Sequence, residues 1–138
     1  MTISLICACK NRNEALKVSL RSWLNYKEIS EYIIVDWSSD DTLEFLTSWD
    51  DRIKIIRVND QKYFNQPQPL NLAISQATGE YILKVDCDYI LNPYYSFFEK
   101  YKVDDNSFVS GKSSYKNPEY YDESTGYNTI DKKNMSLD

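Results

Sequence analysis

Asp86 and Asp88 stand one residue apart, directly after the mostly apolar run Tyr81-Ile82-Leu83-Lys84-Val85. In an open α/β sheet ligands bind outside the carboxyl ends of the strands, so acids delivered where a strand leaves the sheet are placed for chemistry rather than packing. Two carboxylates there suit a hard divalent cation, which takes oxygen ligands and can hold a phosphate-bearing substrate against them. In so Asp-rich a chain the triplet alone carries little information. Its place after the last of four strand-like runs is what separates it from a solvated turn.

Composition narrows the chemistry further. Histidine is absent, so within this chain no imidazole acts as base or metal ligand, and Ser-His-Asp and Cys-His arrangements are excluded. Three glycines, Gly79, Gly111 and Gly126, supply neither a dinucleotide fingerprint nor a glycine-rich phosphate loop after the first strand. Cys7, Cys9 and Cys87 lack the second pair a zinc site needs and read as reduced core thiols. A net charge of -5 argues against nucleic acid as a partner. The 138 residues fit one domain, and the mean hydropathy of -0.58 predicts a soluble one. No run approaches the ~18 apolar residues of a transmembrane span, so the expected location is cytoplasmic.

The elements that must position the acids alternate. Ile3 to Cys9 reads as a strand buried on both faces, and Asn11-Arg12-Asn13-Glu14 as a capped helix start. Leu16, Leu20, Trp23 and Leu24 form one apolar helical face. Tyr32 to Val35 is a second strand, followed by a helix carrying Leu43, Leu46 and Trp49 with Ser39 or Asp40 as its cap. Ile53 to Val58 is a third strand. Pro69 opens a helix with Leu70, Ala73, Ile74 and Ala77 on one face, and Gly79 closes it. The fourth strand and the acids follow, then a short helix from Asn92-Pro93 to about Tyr101 and a further strand at Phe108-Val109. This alternation predicts a parallel sheet with crossover helices. Beyond Gly111 no period persists, and the segment reads as loop.

Several stretches in this order resemble glycosyltransferase family 2, of the GT-A fold. They are Ser4 to Arg12, Val35-Asp36-Trp37-Ser38-Ser39-Asp40-Asp41, Pro69-Leu70-Asn71-Leu72-Ala73, Ala77 to Ile82, and Val85-Asp86-Cys87-Asp88. The resemblance implies a Rossmann-like α/β fold, a mostly parallel sheet with helices on both faces, lacking the acceptor-binding C-terminal half. Residues 1–110 would form the donor-binding core, and 111–138 an irregular, Tyr-rich segment at the start of the acceptor side. It implies transfer of a sugar, with inversion, from a nucleoside-diphosphate-sugar, a UDP-sugar being favoured, to a glycan, protein or lipid hydroxyl. Cys9, Arg12, Asp36, Asn71 and Asp86 would bind the donor, and Asp88 with Asp86 would hold Mn²⁺ or Mg²⁺.

Asp36 has two readings, acceptor for a nucleobase N–H or cap of the turn that follows it. Trp37 stands where the family often has a second acid, and Tyr89 where a third commonly follows the triplet. Lys84, inside the fourth strand, points either to the sheet edge or toward phosphate. The catalytic base is expected beyond Asp138. Gly126-Tyr127-Asn128 resembles the segment that precedes that base, and Glu119, Asp122 and Glu123 qualify as bases only by type. A module that binds nucleotide sugar without transferring it is the alternative.

Overall fold

A computed structural model of the chain describes residues 2–92, 104, 106, 108, 121–122 and 127–128. Four strands, β1 (Ile3–Cys9), β2 (Ile29–Trp37), β3 (Ile53–Val58) and β4 (Tyr81–Lys84), form a sheet in the order β3-β2-β1-β4. Every pairing is parallel. The chain winds outward from β1 to β3, then returns across the sheet to β4 on the other side of β1. Because such crossovers are right-handed, this reversal puts the connections on opposite faces.

Helix α1 (Asn13–Trp23) and a short 3-10 helix (Glu44–Ser48) cover one face, where Leu16, Leu20, Trp23, Leu43 and Leu46 pack on Leu5, Cys7, Tyr32 and Ile34. Helix α2 (Pro67–Gln76) covers the other with Leu70 and Ala73 over Ile6, Ile33, Val35 and Trp37. Burial on both faces is why β1 reads as a near-continuous apolar run.

The expected caps differ from those observed. No side chain caps α1; Asn11 adopts a left-handed backbone (φ 53°) and its Oδ1 accepts from the Asp40 N–H across the neighbouring turn. The helix expected around Leu43, Leu46 and Trp49 is the five-residue 3-10 turn. Its entry is fixed by Asp36, whose Oδ2 accepts from the Leu43 N–H, rather than by Ser39 or Asp40. Helix α2 starts at Pro67, ahead of Pro69, and Asn65 Oδ1 accepts from the Gln68 N–H.

Gly79 does not cap α2, which ends at Gln76. A Cβ there would stand 2.7 Å from both Ser4 N and Ser4 Oγ, so glycine is required by the close approach of this segment to β1. The helix expected from Asn92-Pro93 onward lies outside the described residues, as does Val109, and Phe108 is not in a strand. Within the segment read as loop, Tyr121–Asp122 (β5) and Tyr127–Asn128 (β6) pair antiparallel.

Candidate functional site

The strand order reverses beside β1, and open α/β sheets take ligands outside the carboxyl ends of the strands at such a point. Val85 still donates to Ile6 O at 3.1 Å, but beyond it the chain turns, and the Tyr89 N–H returns to Asp86 O at 3.0 Å. Asp86, Cys87 and Asp88 therefore lie along the last residues of β1. A cavity of about 260 Å³ opens there, lined by Asp86, Cys87 and Asp88 on one side and Ala8, Lys10 and Arg12 on the other, with Phe64 and Gln66 closing it.

The acidic turn is held from beneath by α1. Ser19 Oγ donates to Cys87 O at 2.5 Å, Trp23 Nε1 donates to Tyr89 O at 2.8 Å, and Ser22 Oγ accepts from the Leu91 N–H at 3.0 Å. Sequence reasoning took Trp23 as core only and passed over both serines. The signal was present: Ser19 and Ser22 are polar positions on an otherwise buried helical face. A buried hydroxyl needs a partner, and here the partner is the turn.

Asp88 is exposed, and its carboxylate has no hydrogen bond or ion pair among the described residues. Asp86 receives Lys84 Nζ at 2.6 Å, so Lys84, on the outermost strand among the described residues, reaches forward to the first acid. No group of three His, Cys, Asp or Glu side chains converges among the described residues. Two carboxylates with open space between protein and solvent do not make a closed structural site. They fit a Mg²⁺- or Mn²⁺-type site, in which one or two carboxylates are completed by water and substrate phosphates.

Of the residues named from sequence, Arg12, Asp86 and Asp88 are brought together. Cys9 is fully buried under this cavity; its thiol is pushed up by its hydrogen bond with Cys87 and by burial, and the same bond holds Cys87 below its usual range. All three cysteines are free thiols. Asn71 is exposed on α2 and lines neither this cavity nor the one described next.

Asp36 follows the turn-cap reading. It is fully buried, Oδ1 accepts from the Ser39 N–H, and Oδ2 accepts from Leu43 N–H and from Arg57 Nη1 at 2.9 Å. A nucleobase would have to displace these partners to reach it. Trp37, in the place of an acid, is also buried, and its Nε1 donates to Tyr63 O at 3.0 Å. Beside them lies a broader hollow of about 500 Å³, lined by Lys10, Asn11, Ser38, Asp40, Asp60, Gln61 and Lys62. Lys10 is common to both cavities.

A parallel α/β sheet with helices on both faces and a crevice at its switch point defines the Rossmann-like class of fold. Within that class the chain belongs to glycosyltransferase family 2, whose profile ("Glycosyl transferase family 2") matches residues 4–136. It is similar to the poly-beta-1,6-N-acetyl-D-glucosamine synthase of Staphylococcus aureus (strain COL), 34% identical in an alignment 107 residues long that covers 74% of this chain and 26% of that protein. The chain spans about a quarter of the length of the curated relatives it matches. Among solved structures, S. aureus TarS 1-349 superposes with a TM-score of 0.60 at 26% identity, over 67% of this chain and 29% of that one. A Pyrobaculum calidifontis mannosyltransferase in complex with GDP-Man and Mn²⁺ superposes with a TM-score of 0.54 over 64% of this chain and 28% of that one; at 19% identity the likeness is one of fold.

Proposed function

We propose that this chain is the donor-binding part of an inverting, metal-dependent glycosyltransferase that moves a sugar from a nucleoside-diphosphate-sugar to a hydroxyl acceptor. The observation that carries the reading is the Asp88 carboxylate, without a partner among the described residues, lining the same cavity as Asp86 and Arg12 at the carboxyl ends of β1 and β4. Asp88 and Asp86 would hold Mn²⁺ or Mg²⁺, which offsets the charge that develops on a departing diphosphate. Arg12, exposed at the start of α1, is placed to pair with the same phosphates. The hollow past Lys10 takes the nucleoside.

In the transfer the acceptor oxygen bonds to the anomeric carbon, the bond to the diphosphate breaks with its electron pair on the leaving group, and the hydroxyl proton passes to a base. We assign that base to a segment outside the described residues. The named product of the curated relatives makes an N-acetylhexosamine nucleotide the first donor to try. A thermal-shift panel of UDP-, GDP- and dTDP-sugars with and without Mn²⁺ tests the reading, because a ligand that binds only the native state raises its apparent stability. The expected result is a rise with at least one donor that requires the metal. No rise with any donor, or one indifferent to metal, contradicts it.

A further inference from the structure

Three non-glycine residues among those described adopt a left-handed backbone: Asn11 (φ 53°), Ser38 (φ 56°) and Asp60 (φ 63°). They belong to three separate connections, yet all three line the hollow assigned above to the nucleoside. Such conformations persist only where the surroundings over-determine them, and they gather at functional sites. What joins them is Lys10. Its ammonium donates to Trp37 O at 3.3 Å, Ser38 O at 2.9 Å and Gln61 O at 2.8 Å, one acceptor for each of its three protons.

The geometry points to Lys10 as a positioning residue for donor recognition, a three-way clamp that locks the turns after β1, β2 and β3 into one nucleoside-shaped rim. The inference deepens the donor-binding reading and rests on it. Each left-handed residue is Lys10's own neighbour in sequence, one of its acceptors, or the neighbour of one. Further bonds interlock the same turns: Asn11 N–H to Ser39 Oγ, Asp40 N–H to Asn11 Oδ1, Gln61 N–H to Ser38 Oγ, and Ser38 Oγ to Val58 O. A lysine in a phosphate-binding crevice would ordinarily be taken as a phosphate ligand. Here its donors are already spent on backbone carbonyls, whereas Arg12, lining the same cavity, is exposed and its guanidinium has no hydrogen bond or ion pair among the described residues.

A rim that is formed only part of the time weakens every ligand that needs it by the same fraction, whether or not that ligand carries phosphate. The test therefore compares uridine with UDP, and guanosine with GDP, by NMR titration in the presence of Mn²⁺, on the wild-type chain, Lys10→Met and Lys10→Arg. Hydrogen exchange is followed at the amides of Asn11, Asp40 and Gln61 without ligand. Lys10→Met is expected to accelerate exchange at those amides and to weaken nucleoside and nucleoside diphosphate by one common factor, roughly tenfold. Lys10→Arg keeps the charge, but its planar fork does not converge on three carbonyls, so it shows the same pattern at smaller size and serves if Lys10→Met fails to fold. A loss confined to the diphosphates makes Lys10 a phosphate ligand and overturns the clamp, as does unchanged exchange at the rim. Wild-type protein that binds none of the four probes overturns the donor-binding reading and the positioning role with it; wild-type binding matched by Lys10→Met overturns the positioning role alone.

Discussion

The two ends of the parallel sheet carry carboxylates with opposite fates. At the amino end Glu31 on β2 is buried and accepts from Ser4 Oγ (2.5 Å), Lys54 Nζ (2.5 Å), Thr78 N–H (2.7 Å) and Thr78 Oγ1 (3.0 Å). It thereby ties β1, β2, β3 and the entry to β4 together. At the carboxyl end Asp88 is exposed and accepts from nothing among the described residues. Charge and residue type do not distinguish a structural acid from a ligand-binding one. What does is whether the fold has already supplied its hydrogen bonds. By that criterion Asp36, although at the carboxyl end, belongs with Glu31.

The contrast is broken or sharpened by exchanging what each end is asked to do. Glu31→Ala should have the largest effect on stability, about 3 kcal/mol in urea denaturation, since buried donors lose their acceptor and Lys54 its partner. Burial alone would raise the Glu31 carboxyl, but its hydrogen bonds from Lys54, Ser4 and Thr78 outweigh that and hold it at about 2. A depressed carboxyl contributes stability above its unfolded value near 4.5 and loses it as pH falls through about 2. Wild-type stability should therefore decline across that window, and the decline should be smaller in Glu31→Gln. Asp36→Ala should cost about 2 kcal/mol, because Arg57, Ser39 and Leu43 lose their acceptor; a cost near zero would remove Asp36 from the structural group. Gly79→Ala should cost about 1 to 2 kcal/mol by forcing a methyl against the Ser4 backbone. Asp88→Asn should change unfolding by less than about 0.5 kcal/mol, as befits an exposed group with no partner among the described residues.

The sheet was legible in the sequence where strands are buried on both faces. The bounds of β1 match its apolar run, Ile3–Cys9; those of β3, Ile53–Val58, were legible from its β-branched residues although only Ile53 is buried there. Strand β2 extends on both sides of Tyr32–Val35 because Glu31 and Asp36 are polar yet buried, and local pattern does not reveal partners that arrive from other strands. The same reason hid the Ser19, Ser22 and Trp23 bonds to the acidic turn and the Lys10 clamp, all of which join segments distant in sequence. Gly79 was visible as a special position, but its purpose depends on a neighbour that only the folded sheet supplies. The acids themselves were legible because a parallel strand must end where ligands bind.

The most direct measurement is Mn²⁺-dependent binding of UDP, with GDP alongside, to the wild-type chain and to Asp88→Asn, by isothermal titration calorimetry, with thermal unfolding of both followed in EDTA. The expected result is a metal-dependent affinity in the wild type that is lost in Asp88→Asn, while the two proteins unfold at the same temperature in EDTA. An Asp88→Asn protein that binds the nucleoside diphosphate with Mn²⁺ as tightly as the wild type would contradict the assignment of this end of the sheet to ligand.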